Sequence, residues 1–345
     1  MAPTTDEEGM RGHDPTTTLQ DTESPIAADR LAAELVRDNL QQLPRLSVLI
    51  VNFNAGDLLT ACVDALLATP LALEVIVSDN GSTDSSLADL EAHHGRDPRL
   101  RIQRNGANLG FAGGHNRILP LARAAYLLFL NPDCLVRPDT LPRMLDFLDR
   151  HPAVGMAGAI IRDPDGSEQR ASRRRLPDPW VGLVRFLHLE RLRPALVAAK
   201  RLNLHDEPLP RAPQVVEAIS GSLMLVRRQA LEEVGPLDEG YFLHCEDLDW
   251  FMRFRQAGWP IYLIPDAEAR HHQGACSADR PLRVEWHKHR GMVRFFRKFQ
   301  YRQYPLPFSW LVLAGIWAHF GALLLHHGAR RLVGRVTPSS RLTQP

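Results

Sequence analysis

Three acids, Glu246, Asp247 and Asp249, stand immediately before Trp250 and Arg253. Carboxylates held this close raise one another's pKa, which tunes one of them to take a proton near neutral pH. The same residues suit the first turn of a helix, where acids complement the dipole and Asp249 can pair with Arg253 one turn on. Both readings can hold together. Another acid, Asp133, closes the triplet Asn131-Pro132-Asp133 at the end of the apolar run YLLFLN. An acid there can ligate Mg²⁺ or Mn²⁺, which bind through one or two carboxylates and substrate phosphates. Pro and Asp also form ordinary solvated turns, so that alternative stands beside the metal. His271 and His272 follow the run WPIYLIPDAEAR. Neighbours on a strand face opposite ways, so at most one of them serves a given metal from a regular strand.

Two polar turns carry further possibilities. Ser78-Asp79-Asn80-Gly81-Ser82-Thr83-Asp84 follows an apolar run and offers carboxylate, amide and hydroxyl groups to a nucleobase edge or a ribose. It serves equally as a turn in which Ser82 or Asp84 caps the next helix. The glycine-rich stretch NLGFAGGHN, from Asn108 to Asn116, lacks both the Walker lysine and a G-x-G-x-x-G spacing. A helix beginning there would still aim backbone N–H groups at an anion such as a diphosphate.

These turns need elements to hold them. The runs LSVLIVNFN (from Leu46), LEVIVSDNGSTD (from Leu73), LRIQRN (from Leu100) and YLLFLN (from Tyr126) are apolar and read as buried strands ending in polar turns. Helical spacing fills Asp57 to Thr69, and a helix is expected from His115 to Ala125. Alternating strands and helices predict an α/β fold: a Rossmann-like, mostly parallel central sheet with helices on both faces and a ligand crevice at the carboxyl ends of the strands. A helix follows from Leu141 to Arg150. Beyond it, Asp163 to Ala212 is rich in arginine and proline and shows no readable period. Regular signals return with VVEAISGSLMLVRR and a helix from Arg228 to Val234. At the start, Thr-, Asp-, Glu- and Pro-rich residues to about Arg30 hold no apolar core of a secretory signal and read as a disordered leader; a short helix from Ala32 to Leu43 ends at Pro44.

The chain has 345 residues, 44% of them hydrophobic and 23% charged, which suffices for a sizeable core. Lys and Arg number 41 against 40 acids, so no bulk charge marks a nucleic-acid binder. The four cysteines are scattered, without a C-x-x-C pair, as expected in a reducing compartment. From Leu306 to Leu325 no charged side chain occurs, close to the ~20 residues that cross a bilayer. Arginines flank it on both sides, which argues against a clean crossing and for a helix lying on anionic headgroups. A buried C-terminal helix of a soluble domain is the alternative.

Taken in order, VLIVNFN, VSDNGSTDSS, NLGFAGGHNRIL, LFLNPDC, GSLMLVRRQALEEVGPLDEGYFLHCEDLDWFMRFRQAGW and IPDAEARHHQGA resemble the family 2 glycosyltransferases, in particular the bacterial rhamnosyltransferase-like members. The resemblance runs from about Leu46 to Phe299. It implies a GT-A fold, with a nucleotide-sugar-binding half over 44–150 and an acceptor-binding and catalytic half over 151–300; on either side, composition sets off the leader with its short helix over 1–43 and a membrane-associating segment over 301–345. It also implies residue roles. Asn52, Asn54, Asp79 and Asn80 would hold base and ribose, and Asn108, Gly110 and Asn116 would shape the donor pocket beside Asn131. Asp133 matches the last acid of the D-x-D metal motif, and His271 matches a histidine that helps hold metal or diphosphate in some relatives. Asp247 matches the general base of an E-D motif, supported by Glu246 and Asp249. Two departures stand out: Asn131 replaces the first acid of D-x-D, leaving fewer charged ligands, and Phe53 replaces a common tyrosine.

The implied reaction is an inverting transfer of a sugar, L-rhamnose from dTDP-rhamnose as first choice, from a nucleotide-diphosphate donor to a lipid-linked or glycan hydroxyl in cell-envelope synthesis. It would use Mg²⁺ or Mn²⁺ at the inner, cytoplasmic face of a bacterial membrane. A sugar-phosphate nucleotidyltransferase is the first rival; it would carry a G-x-G-T-R loop where this chain has NFNAGD. A non-catalytic carbohydrate-binding relative is the second, and the presence of Asp79, Asp133, Glu246 and Asp247 counts against it.

Overall fold

A computed structural model describes residues 43–186, 202–272 and 281–336. The leader and the short helix expected before Pro44 lie outside the described residues. The apolar runs form β1 (Leu46–Asn52), β2 (Leu73–Asp79), β3 (Leu100–Arg104) and β4 (Tyr126–Leu130), which pair in parallel in the order β3-β2-β1-β4. Each is preceded or followed by a helix: α1 (Asp57–Leu67), α2 (Ser86–His94) and α3 (Gly110–Ile118). Register brings the strand ends level, with Asn52 beside Asp79 and Asp79 beside Arg104. The polar turns therefore meet at one edge because they end neighbouring parallel strands.

The helix expected from His115 begins earlier and stops earlier. Pro120 lacks an N–H and cannot continue an α-helix, so the chain leaves α3 through a single 3₁₀ turn, Leu119–Leu121.

The second half is mixed rather than parallel. Its elements are β5 (Cys134–Val136), α4 (Thr140–Arg150), β6 (Met156–Arg162), β7 (Arg173–Arg174), α5 (Pro179–Phe186), β8 (Gln214–Val215), β9 (Ala218–Ile219), β10 (Leu223–Arg227), α6 (Arg228–Val234), α7 (Glu246–Gln256) and β11 (Ile261–His271). β10 runs antiparallel between β4 and β6, and β11 lies parallel to β6 and antiparallel to β5. Two placements follow. The start of β10 reaches the edge where β4 ends, and Asn131 N–H donates to the Ser222 carbonyl at 2.9 Å. Pairing of β11 with β5 sets His271 opposite Cys134, so His271 arrives beside Asp133.

Alternate strand residues feed two cores. Val48, Ile50, Leu128 and Leu130 pack with α1, α2 and α4 on one face. Leu49, Leu127 and Phe129 pack with α3, α6 and α7 on the other. Helices thus cover both faces, as the unbroken apolar runs require. α8 (Pro281–Phe299) sends Phe295 into the second core, while α9 (Leu306–Val336) stands largely outside it.

Candidate active site

The strand ends border a cavity of about 1380 Å³. Its wall takes Phe53, Asn54, Asn80, Asn108 and Gly110 from the first half, Asn131, Asp133 and His271 from the middle of the sheet, and Glu246 and Asp247 from α7. Asn52, Asp79, Asn116 and Asp249 do not line it. Their side chains bond residues that stand behind the wall.

On the first side the polar groups bind mainly to one another. Asn52 Nδ2 donates to Asp79 Oδ1 at 2.9 Å and to the Ser82 and Ser86 hydroxyls at 3.0 Å each. Asp79 Oδ2 accepts the N–H groups of Gly81 and Ser82, closing the turn after β2. Asn54, at a positive φ of 54°, accepts the Thr83 N–H at 2.7 Å and donates its own N–H to Ser82. Asp84 accepts from the Ser86 hydroxyl and backbone N–H and so steadies the turn, but the cap position of α2 is Ser85, with no side-chain cap bond, and neither Ser82 nor Asp84 caps the helix as expected. Asn80 bridges Asn105 and the Gly110 carbonyl.

The glycine-rich helix start is not an open anion cradle. The Gly110 N–H goes to Asn108 Oδ1 at 2.9 Å, and the Phe111 N–H goes to the Phe242 carbonyl at 3.0 Å. Gly110 has a φ of 77°, and a Cβ there would lie 2.3 Å from that same carbonyl. The glycine serves close approach of α3 to the segment leading into α7. Asn116 serves the same joint from the far side, donating to the Leu237 carbonyl and to Glu239.

At the centre, Asp133 Oδ1 lies 3.1 Å from His271 Nε2, and both side chains are buried. His271 Nδ1 meets Gln169 Oε1 at 2.8 Å, while Gln169 Nε2 donates to Asp163 at 2.7 Å and to the His271 carbonyl at 3.3 Å. The Gln169 oxygen accepts from Nδ1 and fixes the ring's orientation, and Nε2 faces Asp133 and, at 3.2 Å, the Asn131 amide. A carboxylate and an imidazole nitrogen meeting at one point are two ligands of the kind a divalent cation takes, with Gln169 as a partner behind the histidine; among the described residues no group of three or more His, Cys, Asp or Glu side chains forms around them. His272 does not line the cavity, and its N–H donates to the Asp133 carbonyl, as strand alternation requires.

On the far side Asp247 is held by two groups. Arg174 forms an ion pair with Oδ2, and the Leu248 N–H donates to Oδ1 at 2.8 Å. Gly221 backs this carboxylate: a Cβ there would lie 2.8 Å from Oδ2. Glu246 is buried, and burial followed by the charge of Asp247 raises its pKa to about 8. Among the described residues its Oε2 and the Arg174 Nε have no hydrogen-bond partner. The two residues before it, His244 and Cys245, both have positive φ, 69° and 72°, a conformation costly for side chains of this size. Trp250 anchors α7 beneath them. Its Nε1 donates to the Gly235 carbonyl at 3.0 Å, and its ring meets Phe129 of β4 edge-on at 4.7 Å.

Asp249 is fully buried behind this surface. It takes Arg253 Nε at 2.7 Å, Lys298 Nζ at 2.7 Å and the Tyr241 hydroxyl at 3.1 Å, tying α7 to α8. The pair with Arg253 is the one its spacing predicts. Sequence reading passed over Arg174, Gln169 and Gly221. Only Gly221 left a signal, a glycine between serines at the mouth of an apolar strand; Arg174 sits in a run of three arginines with no period to single it out.

The sequence pattern of glycosyl transferase family 2 matches residues 47–235. The N-acetylglucosaminyl-diphospho-decaprenol L-rhamnosyltransferase of Mycobacterium tuberculosis is 31% identical over 298 residues, covering 83% of this chain and 94% of that protein. Rhamnosyltransferase WbbL of Escherichia coli is 28% identical over 240 residues, 65% of this chain and 82% of its own. The solved mannosyltransferase PcManGT of Pyrobaculum calidifontis, in complex with GDP-Man and Mn²⁺, shares the fold at a TM-score of 0.51 and 18% identity, over 89% of this chain and 90% of that one. The expected GT-A architecture is therefore the one observed. With more than half of the chain under the family pattern and a relative aligned along nearly its whole length, this protein belongs to glycosyl transferase family 2 and is a glycosyltransferase.

Proposed function

We propose that the enzyme transfers L-rhamnose from dTDP-rhamnose, with inversion, to a hydroxyl of a lipid-linked sugar in cell-envelope glycan synthesis. The observation that carries this reading is a single cavity in which a held carboxylate, Asp247, faces the Asp133–His271 pair across the ends of the donor-side strands. The sugar is suggested by the names of two relatives that cover most of their length in this alignment.

Asp247 would take the proton of the acceptor hydroxyl while that oxygen bonds the anomeric carbon. The bond from that carbon to the diphosphate breaks on the opposite face, and the electron pair leaves with the diphosphate. Configuration inverts as a result. Arg174 neutralises the Asp247 charge and fixes its orientation before substrate arrives. Glu246, protonated at neutral pH, adds no second charge next to the base. Asp133 and His271, with Asn131 alongside, would hold Mg²⁺ or Mn²⁺, which when bound neutralises charge on the departing diphosphate. Asn54, Asn80 and Asn108 would meet the nucleotide, and Asn52, Asp79, Gly110 and Asn116 would keep those residues in place.

The membrane reading rests on α9. From Leu306 to His327 it has a mean hydropathy of 1.8, and only 6% of its most apolar window is buried. That exposure argues against a core helix. Trp180, Trp286, Trp310 and Trp317 are exposed around it, the residue type that settles at a bilayer interface. We place the enzyme at the cytoplasmic face of the inner leaflet, with arginines on both flanks of the helix meeting anionic headgroups.

Calorimetric titration tests the reading. The purified chain should bind dTDP-rhamnose with Mn²⁺ or Mg²⁺ and lose affinity with chelator or in Asp133→Ala. Preference for a UDP- or GDP-sugar would replace the rhamnosyl assignment, and failure to bind any nucleotide sugar would overturn the donor site.

A further inference from the structure

One short segment touches both halves of the site. After β6 the chain turns at Asp163–Ser167 and lies back against the end of that strand, where the Gln169 N–H donates to the Ile161 carbonyl at 2.8 Å and the Ser172 hydroxyl accepts the Ile161 N–H at 2.9 Å. From this segment Gln169 stands behind His271, and Arg174 pairs with Asp247. Each of the two is preceded by a charged residue, and those charged residues are bonded to each other. Arg173 Nε donates to Glu168 Oε1 at 2.7 Å, and Arg173 Nη2 donates to Glu168 Oε2 at 2.9 Å. The pair is buried, with side chains 3% and 10% exposed, and neither residue lines the cavity. The same guanidinium donates to the Glu207 carbonyl at 2.7 Å and to that of Pro208 at 3.3 Å. Two charges taken out of water add little net stability; what two parallel bonds between them add is a fixed geometry.

Resting on the roles proposed for Asp247 and for the Asp133–His271 pair, we propose that Glu168 and Arg173 are positioning residues for the transfer: their ion pair fixes the span between Gln169 and Arg174 and so sets the metal pair and the base relative to each other. The clamp joins the residue before one support to the residue before the other, so a shift in it reaches both. Neighbours on a strand face opposite ways, so Arg173 can turn inward to Glu168 while Arg174, beside it on β7, reaches the cavity. Ser172, fully buried, pins the same segment to β6 between the two supports. The reaction needs this span held. The attacking oxygen and the departing diphosphate lie on opposite faces of the anomeric carbon, and a misplacement of about 1 Å can cost ~10²-fold in rate.

The test takes two readings on the full chain in detergent. One is Mn²⁺ affinity by calorimetry without nucleotide. The other is release of dTDP from dTDP-rhamnose at saturating Mn²⁺ with water as acceptor: water gives a proton to Asp247 and its oxygen to the anomeric carbon as the diphosphate leaves. Glu168→Gln and Arg173→Lys should each weaken Mn²⁺ about ten-fold and lower kcat about ten-fold with KM within about two-fold. Combined, they should lose little more than the worse single change, because the pair acts as a unit. Glu268→Gln, which breaks the half-buried pair with Arg162 outside this segment, should move neither reading. Ser172→Ala removes one buried hydrogen bond and no charge; it should show the same double loss at smaller size, and it serves where circular dichroism finds the clamp variants unfolded. Loss of one reading with the other intact in a folded variant would overturn the proposal, as would loss of neither. Full Mn²⁺ affinity in Gln169→Ala, or full kcat in Asp247→Asn, would instead remove the roles on which the clamp rests.

Discussion

The two sides of the cavity differ in how densely their polar groups are cross-linked. On the side proposed for the donor, Asn52 bonds Asp79, Ser82 and Ser86 while Asn80 bonds Asn105 and the Gly110 carbonyl, and the turns close into a frame in which Asn52 Oδ1 alone of the Asn52–Asp79–Ser82–Ser86 group is buried without a partner among the described residues. On the acceptor side, Glu246 and Arg174 each leave a buried polar atom without a partner among the described residues, and the backbone ahead of them is strained at His244 and Cys245. A closed network is rigid and selects by shape. An open one keeps capacity for a substrate at the cost of stability.

The contrast can be broken most sharply at Asp247. Asp247→Asn should lower kcat by ~10²–10⁴-fold with donor affinity unchanged by calorimetry. Loss of both would mean the two sides are one unit and would remove Asp247 as base. On the frame, Asn52→Ala strips a donor from Asp79, Ser82 and Ser86 together; urea unfolding should show a loss of about 1–3 kcal/mol accompanied by weaker donor binding. Weaker binding at full stability would make Asn52 a contact and not a support. Between the sides, Gln169→Ala frees His271 to rotate and should weaken Mn²⁺ or Mg²⁺ about 10–100-fold, leaving metal-free nucleotide affinity alone.

The smallest effect belongs to Glu246 and is a matter of pH. Its folded-state pKa is raised, so the folded chain keeps a proton that the unfolded chain has lost. Stability should therefore fall in the wild type relative to Glu246→Gln as pH rises from about 4.5 to about 8, and then level off. The glutamine mimics the protonated form, so kcat at pH 7 should stay within a few-fold of wild type. A collapse of kcat at pH 7 would show that the charged glutamate is the working species.

The donor side was also the more legible in sequence. Val48 to Ile50 and Leu127 to Leu130 announce buried parallel strands by composition, and parallel pairing makes their terminal turns neighbours without further information. Asp133 and His271 were readable as ligand types, yet their meeting depends on the β5–β11 register, which no local period encodes. Arg174 reaches Asp247 because two-residue strands pair across some 45 residues, Arg173 with Ile219, and strands that short carry no pattern. The glycine-rich stretch misled for a physical reason: the donors at a helix start look free until another segment's carbonyl, here that of Phe242, takes one of them.

The turn at Tyr301–Gln303 has a practical consequence. Upstream of it, α8 is sewn to the body by Phe295 and Phe296 in the interior and by Arg294 and Lys298 on Asp238. Downstream, α9 contributes few buried side chains. A chain ended just past this turn would shed its greasiest surface yet keep the interior and every acid of the site, giving a candidate for crystallisation and for donor titration without detergent.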